Sequence, residues 1–401
     1  MGMNPATAPW ADRRDLIALA ATLEARFVGG AVRDSLLGHA VADIDLATPL
    51  SPETVIARVR DSGFKPVPTG IAHGTITAVL PDGPVEVTTL RRDVSTDGRH
   101  AVVAFTDDWR EDAARRDFTM NALYADPETG ALFDYFGGLD DLKAGRVRFI
   151  GDPLQRIAED HLRILRFFRF HARFGQAIDE AGLAACTARA NDLMALSRER
   201  IAAELLKLLV APGAVPVIAL MVERGILRAV LPEIDAAGAE RLAMLAEREQ
   251  AAGIAADPIR RLAALLPPQT AEAVGARLKL SNVDRKRLIA ATAGPGEEGP
   301  RALAYRVGIE GAIDRLLLAG ETVEAIRDWT PPSLPLTGGA LVARGIGKGP
   351  EVARLLRQVE TRWIAEGFPG EARVAELADA AVAQARAAII AQAASGSSGR
   401  A

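Results

Sequence analysis

Two carboxylates one residue apart, Asp43 and Asp45, stand in the segment FVGGAVRDSLLGHAVADIDLATPL. On a β-strand, side chains two apart share a face, so the pair projects together while Ile44 and Leu46 turn the other way. Such a strand has one wall for a cation and one for a core. Carboxylates this close repel each other unless a cation lies between them, and hard oxygen ligands on one edge suit Mg²⁺ bound together with substrate phosphates. A DxD also occurs at turns and solvated strand ends, so its neighbours decide the reading. Val28-Gly29-Gly30 ends one β-type run, and Ala31 to Leu37 can form a short helix whose first backbone N–H groups hold phosphate. Arg33, one turn into that helix, reaches the same anion; the alternative is a surface pair with Asp34. A glycine turn shortly before a carboxylate pair is the arrangement that a nucleoside triphosphate with its metal requires.

The elements that must position these groups follow from the patterning. After a first helix predicted from Asp12 to Glu24, residues 26–149 alternate short β-type runs with turns: FVGG, DIDLA, GTITAVL, VEVTTL, TMNALYA, LFDYF and VRFI. Several show the strand period of two. From Asp152 onward the spacing is helical and rich in Ala, Leu, Arg and Glu. The chain therefore reads as α+β, a small mixed domain followed by helices. Breaks are expected at Pro267-Pro268, from Gly294 to Pro300 and from Pro331 to Gly339. At 401 residues the chain exceeds one ordinary core and suits two or three packed domains.

Composition narrows the function classes. Cys186 is the only cysteine, which excludes an intrachain disulfide or a thiolate-rich zinc site, and five scattered histidines do not supply a metal centre. No apolar stretch is long enough to span a bilayer, and the N-terminus lacks the apolar core of a signal peptide, so the expected address is the cytoplasm. The net charge of −4 gives no global sign of nucleic-acid binding. Locally it does: from Lys143 to Arg173 there are eight Lys or Arg against three Asp or Glu, a surplus of five.

Four ordered segments carry a resemblance. They are GGAVRDSLLG with DIDLAT; HGTITAVL with VEVTTLRRD; RRDFTMNALYAD with FDYFGGLDDL; and GDPLQRIAEDHLRILRFFRF. Together they span residues 27–174, and the chain there resembles the class II CCA-adding enzymes and bacterial poly(A) polymerases of the polymerase-β-like nucleotidyltransferase superfamily. A weaker similarity, in LPLTGGALVARGIGKGPEVARLLRQVE, is to the tail that touches the tRNA elbow. The resemblance implies a nucleotidyltransferase head (residues 1–150), then an all-helical neck (151–210), body (211–330) and tail (331–393), with 394–401 expected to be unstructured. It implies tRNA, CTP and ATP as partners, no membrane and no disulfide partner, and two-metal phosphoryl transfer with Mg²⁺. Position by position, Asp43 and Asp45 would hold metal and be catalytic, Gly30 and Arg33 would bind the triphosphate, and Arg116 the nucleotide. Asp160, Arg163, Arg166 and Arg169 would face the incoming base.

That last set has its own chemical logic. Its members stand three apart, on one face of a helix predicted to begin at Asp160. A carboxylate accepts from the exocyclic amino group of cytosine or adenine, and an arginine donates to the unprotonated ring nitrogen beside it. Uracil and guanine present a carbonyl and a ring N–H there, so both are rejected without a nucleic-acid template. The competing reading is a salt-bridged amphipathic helix. Phe167, Phe168 and Phe170 alternate with the arginines and have the spacing of core residues more than of a base-stacking surface. Glu86 and Asp117 are candidates for a third carboxylate. His39 and His73 read as hydrogen-bonding loop residues.

Poly(A) polymerases usually carry a basic GRRF-like segment where this chain has TGIAHGTITAVL, which favours CCA addition. The segment Arg92 to Asp107, with Asp97-Gly98-Arg99, looks like the flexible loop that CC-only enzymes shorten, so full CCA addition is expected over CC addition. A C-terminal phosphohydrolase domain with a His-Asp motif, which some relatives carry, is not expected, since no histidine follows His171. A non-catalytic tRNA-binding protein remains a different class of reading, against which both aspartates speak. In the tail, GIGKGP would present backbone N–H groups and Lys348 to an RNA phosphate.

Overall fold

The strand-like runs of the first half assemble into one mixed sheet because each has a single apolar face to bury. The computed structural model describes residues 10–41, 43–96, 101–347 and 349–397. Asp97-Gly98-Arg99 and Lys348 lie outside these described residues. Helix α1 (Arg14–Thr22) precedes β1 (Arg26–Val28), α2 (Gly30–Leu36), β2 (Asp45–Thr48) and α3 (Pro52–Asp61). Then come β3 (Lys65–Gly70), β4 (Thr75–Leu80) and β5 (Gly83–Thr89). A hairpin of β6 (Arg91–Thr96) and β7 (Ala101–Phe105) leads to α4 (Trp109–Ala114), β8 (Leu123–Ala125), β9 (Leu132–Asp134) and α5 (Gly138–Lys143). The sheet order is β3-β4-β5-β2-β1-β8-β9, with β6 and β7 forming their own two-stranded sheet. The β2–β5 pairing is parallel and the other pairings of the large sheet are antiparallel.

Alternation decides which face is covered. Ile76, Ala78 and Leu80 on β4 and Val85 and Val87 on β5 are buried, while Glu86 between them is exposed. Helix α3 covers that face with Val55 and Val59; it starts where Ser51 Oγ accepts the Thr54 N–H at 3.3 Å and Pro52 fills the first turn. Gly29 caps α2 at φ +68°, a conformation few other residues adopt without strain.

Two expected strands differ. Strand β2 begins at Asp45, so Asp43 stands just before it, exposed, and not within a strand. VRFI forms no strand; Phe149 makes one isolated bridge with Phe118, and both rings enter an aromatic core with Phe167. Strand β3 has no apolar alternation in sequence and is recruited by its neighbour β4.

Helices follow: α6 (Pro153–Glu159), α7 (Arg163–Phe174), α8 (Glu180–Ala188), α9 (Arg198–Leu209) and α10 (Ala214–Glu223). The helix expected to begin at Asp160 begins instead at Arg163, after a separate α6 that ends at Glu159. Asp160 is extended (φ −151°, ψ 106°) between α6 and α7, so it does not share a helical row with Arg163. Phe167, Phe168 and Phe170 are buried in the core.

The chain divides into two compact units, Met1–Ala243 with Ala273–Ser281, and Met244–Glu272 with Asn282–Ala401. The second is helical. Its core gathers Leu355, Val359, Trp363, Val374 and Leu377, and it buries an ion network in which Arg260 meets Glu249 at 2.8 Å and Asp314 at 3.4 Å. The breaks expected at Pro267-Pro268, Gly294–Pro300 and Pro331–Gly339 fall between its helices. The final helix, Glu371–Ser397, enters the stretch expected to be unstructured; 398–401 lie outside the described residues. Among the described residues, no helix is long and apolar enough to cross a membrane.

Candidate active site

The glycine turn, the start of β2 and the joint between α6 and α7 converge on one open cavity of about 350 Å³ in the first unit. Gly29, Gly30, Arg33 and Asp45 line it from the sheet side; Arg115, Arg116, Asp117 and Asn121 from the RRDFTMNAL segment; and Asp160, Arg163, Arg166 and Phe170 from the helices. Arg169 does not line it. That guanidinium pairs with Glu204 of α9 at 2.5 Å and lines a neighbouring cleft of about 430 Å³ with His39, Arg173 and Lys207.

Asp45 sits opposite Glu86 in the parallel β2–β5 register, so the two carboxylates share a face at one end of the sheet. Burial, then Glu86 and Asp43, push the Asp45 carboxyl up from its ordinary value, against the pull of Arg116. Carboxylates whose charges hinder one another are relieved by a cation, and their hard oxygens suit a divalent one. No preassembled group of three metal-ligating side chains occurs among the described residues. One or two carboxylates completed by substrate phosphates, the usual Mg²⁺ arrangement, need no such group, and Asp45 with its acidic neighbours fits that chemistry. Asp117 is committed elsewhere. It accepts from Arg166 Nε (2.7 Å), Asn121 Nδ2 (2.9 Å) and the Phe118 N–H (2.9 Å), and although burial raises its carboxyl, these partners bring it below the ordinary range.

Arg33 pairs with Asp34, as the alternative reading had it, but in a buried setting. Nε meets Asp34 Oδ1 at 2.8 Å, Nη1 meets Asn121 Oδ1 at 2.5 Å, and the guanidinium lies over the Phe174 ring at 4.4 Å. A guanidinium held by a carboxylate, an amide and an aromatic face keeps one orientation. Asp160 accepts from Arg200 Nη2 with both oxygens, at 3.0 and 2.9 Å, and Oδ1 also accepts the Leu162 N–H at 3.1 Å just before α7. Arg163 donates to Glu159 Oε2 (2.6 Å) and to the carbonyl oxygens of Arg156 (2.8 Å) and Arg115 (3.1 Å). Arg116 lines the cavity, and its Nε is buried without a hydrogen-bond partner among the described residues.

Sequence reasoning missed Arg200, Asn121 and Asp112, each of which holds a cavity residue in place. Asn121, four residues after Asp117 in RRDFTMNAL, was the most accessible signal. Arg200 is separated from Asp160 by forty residues, and only the packing of α9 on α7 joins them.

Known proteins share this architecture. Residues 25–148 match the family model described as the poly A polymerase head domain, and residues 175–237 match "Probable RNA and SrmB-binding site of polymerase A". The human protein CCA tRNA nucleotidyltransferase 1, mitochondrial, is 36% identical over 381 residues, covering 87% of this chain and 84% of its own. A CCA-adding enzyme of Anoxybacillus flavithermus is 41% identical over 213 residues, 53% of this chain and 52% of its own. The crystal structure of the Bacillus stearothermophilus CCA-adding enzyme in complex with CTP superposes with a TM-score of 0.73 at 27% identity, covering 96% of this chain and 100% of that one. The chain belongs to the family of CCA-adding enzymes, the CCA tRNA nucleotidyltransferases.

Proposed function

We propose that this enzyme adds CCA to the 3′ end of tRNA, without a nucleic-acid template, from CTP and ATP with release of pyrophosphate. The observation that carries the reading is the single cavity in which a phosphate-binding glycine turn, a metal-type carboxylate and a carboxylate–arginine pair suited to base edges face one another. The tRNA 3′-hydroxyl attacks the α-phosphate, the new phosphodiester forms, and the bond to pyrophosphate breaks. Mg²⁺ bound to Asp43 and Asp45, with Glu86 as the third carboxylate, would supply two-ion Lewis-acid stabilisation of the attacking and leaving oxygens. The chain's own part is positioning. The Gly30 amide and Arg33 hold the triphosphate, and Arg116 holds the nucleotide. Asp160 and Arg163 read the base edge as Arg200 yields the carboxylate. Arg166 braces Asp117 beside them, and Arg169 belongs with Arg173 and Lys207, where the phosphates of the tRNA acceptor end approach.

The test is extension of tRNA lacking CCA, CA or A with each nucleotide supplied singly. The reading requires CTP alone to stop after CC, ATP alone to complete only tRNA ending in CC, and UTP and GTP to be refused. Repeated addition from ATP alone would make the chain a poly(A) polymerase, the activity named by the head-domain model. An arrest after CC with both nucleotides present would make it a CC-adding enzyme, and a mobility shift with no extension a tRNA-binding protein. The proposed location is the cytoplasm. Since the human relative's name is mitochondrial, fractionation of the tagged chain checks it.

A further inference from the structure

We propose that Asp112 is a positioning residue that holds Arg116 in the nucleotide cavity and ties it to the root of the β6–β7 hairpin, so that hairpin and nucleotide act on one carboxylate. The inference rests on the proposed nucleotide role of Arg116.

Asp112 is 1% exposed, on α4, and both its oxygens are fully engaged. Oδ1 accepts the Arg91 backbone N–H at 3.3 Å and Arg115 Nε at 2.8 Å; Oδ2 accepts Arg116 Nη2 at 3.1 Å and the Tyr124 hydroxyl at 2.7 Å. Four donors on two oxygens are near the capacity of a carboxylate. They come from three places. Tyr124 is anchored in β8 and in the core with Val28, Leu90 and Ala113. Arg115 and Arg116 line the nucleotide cavity. Arg91 is the first residue of β6.

The Arg91 N–H is available for this purpose because of the hairpin's register. Thr106 N–H donates to the Leu90 carbonyl at 3.0 Å, which makes the next pair, Arg91 with Phe105, a rung whose backbone groups point outward. That outward N–H finds Asp112, and the Arg91 side chain meanwhile bonds the carbonyl of His73. A shift of the hairpin root therefore pulls on the oxygen atoms that orient Arg116. By reciprocity, a nucleotide that engages Arg116 alters the hold on the hairpin.

The test uses the full chain and direct CTP binding alongside steady-state CTP and ATP kinetics on tRNA lacking CCA or A. Asp112→Asn keeps the shape and removes the charge; it should weaken CTP binding about tenfold, the order that one charge-assisted hydrogen bond commands, and raise KM more than it lowers kcat. Arg91→Pro removes the outward N–H, which the ladder does not use, and with it the side-chain bond to His73; it should weaken CTP binding in the same direction, and beyond Arg91→Ala, which loses the side-chain bond alone. The decisive result is the double variant: coupling through one carboxylate predicts a CTP affinity no lower than that of Asp112→Asn alone. Losses that multiply overturn the inference, as does unchanged CTP affinity in Asp112→Asn. If Asp112→Asn does not fold, Arg91→Pro decides against Arg91→Ala: equal CTP affinity in the two refutes the tie, and a lower affinity in Arg91→Pro with normal tRNA affinity supports it. A wild-type chain that binds no CTP overturns the proposed function and this inference with it, whereas wild-type binding with independent variants overturns the inference alone.

Discussion

Asp160→Asn separates base reading from bracing more cleanly than removal of the whole carboxylate–arginine pair, because Arg163 also supports the carbonyl of Arg115 and would loosen the RRD segment if replaced. The asparagine keeps an oxygen for the Leu162 N–H and for Arg200, so the joint between α6 and α7 persists. What changes is the charge. A hydrogen bond to a charged group is worth about 1.5–3 kcal/mol and a neutral one about 0.5–1.5, so cytosine's amino group should lose about 1–1.5 kcal/mol, or roughly five- to twelvefold in kcat/KM. Uracil and guanine gain, since the side-chain amide donates to a carbonyl that a carboxylate repels. Single-turnover extension of tRNA ending at the discriminator base, with each nucleotide alone, measures both effects. UTP or GTP should be incorporated at a rate within about a hundredfold of CTP, given about 1–3 kcal/mol of discrimination per bidentate base contact. If CTP addition slows while UTP and GTP remain wholly excluded, Asp160 does not read the base, and its pair with Arg200 is a brace for the helix joint.

Three further outcomes test other parts of the site. Asp45→Asn should abolish nucleotide addition yet raise the melting temperature of the metal-free protein at pH 7. The folded-state pKa of Asp45 is raised, so its ionised form costs stability above that pKa, and the gain should vanish as pH falls below the unfolded value near 3.8; equal melting curves across that range would contradict the crowding of Asp45 by Glu86. For Asp112, burial is outweighed by Arg116, Arg115 and Tyr124, which hold the carboxyl at about 2. Its stabilisation is complete above about pH 4 and fades toward pH 2, so acid titration of Asp112→Asn should show a smaller loss over that window, and an unchanged slope would refute the assignment. Arg173→Ala with Lys207→Ala should weaken tRNA binding and reduce the slope of log affinity against log salt by about 1.4–1.8, at roughly 0.7–0.9 per phosphate contact, with CTP affinity unaltered. A parallel loss of CTP affinity would show that the cleft of Arg169 belongs to the nucleotide site.

The head of the molecule was legible where apolar alternation and turn residues agreed. GTITAVL and VEVTTL have a period of two and became β4 and β5; Gly29-Gly30 marked the start of α2. Legibility failed where long-range partners outweigh local pattern. Lys65–Gly70 carries two prolines and little apolar alternation, and only β4 beside it makes it a strand. The helical reading of Asp160 failed for a comparable reason. EDHLR fits a helix locally, but Asp160 is held extended between the Leu162 N–H and the guanidinium of Arg200, a partner that no short window contains. The expected row of Asp160 and three arginines is thus divided by its geometry: Asp160, Arg163 and Arg166 line the cavity, and Arg169 lines another cleft.

The one parallel pairing of the large sheet has an evolutionary consequence. By setting Asp45 beside Glu86, it builds a rung that the fold alone would be better without. Amides or small apolar residues there would make a sturdier apoprotein, and a selection for heat resistance conducted without regard to turnover would drift toward them. Directed evolution of this scaffold toward thermal tolerance therefore needs an activity filter at those two strands above all, whereas the ion network around Arg260 in the second unit can be replaced by hydrophobic packing under stability selection alone.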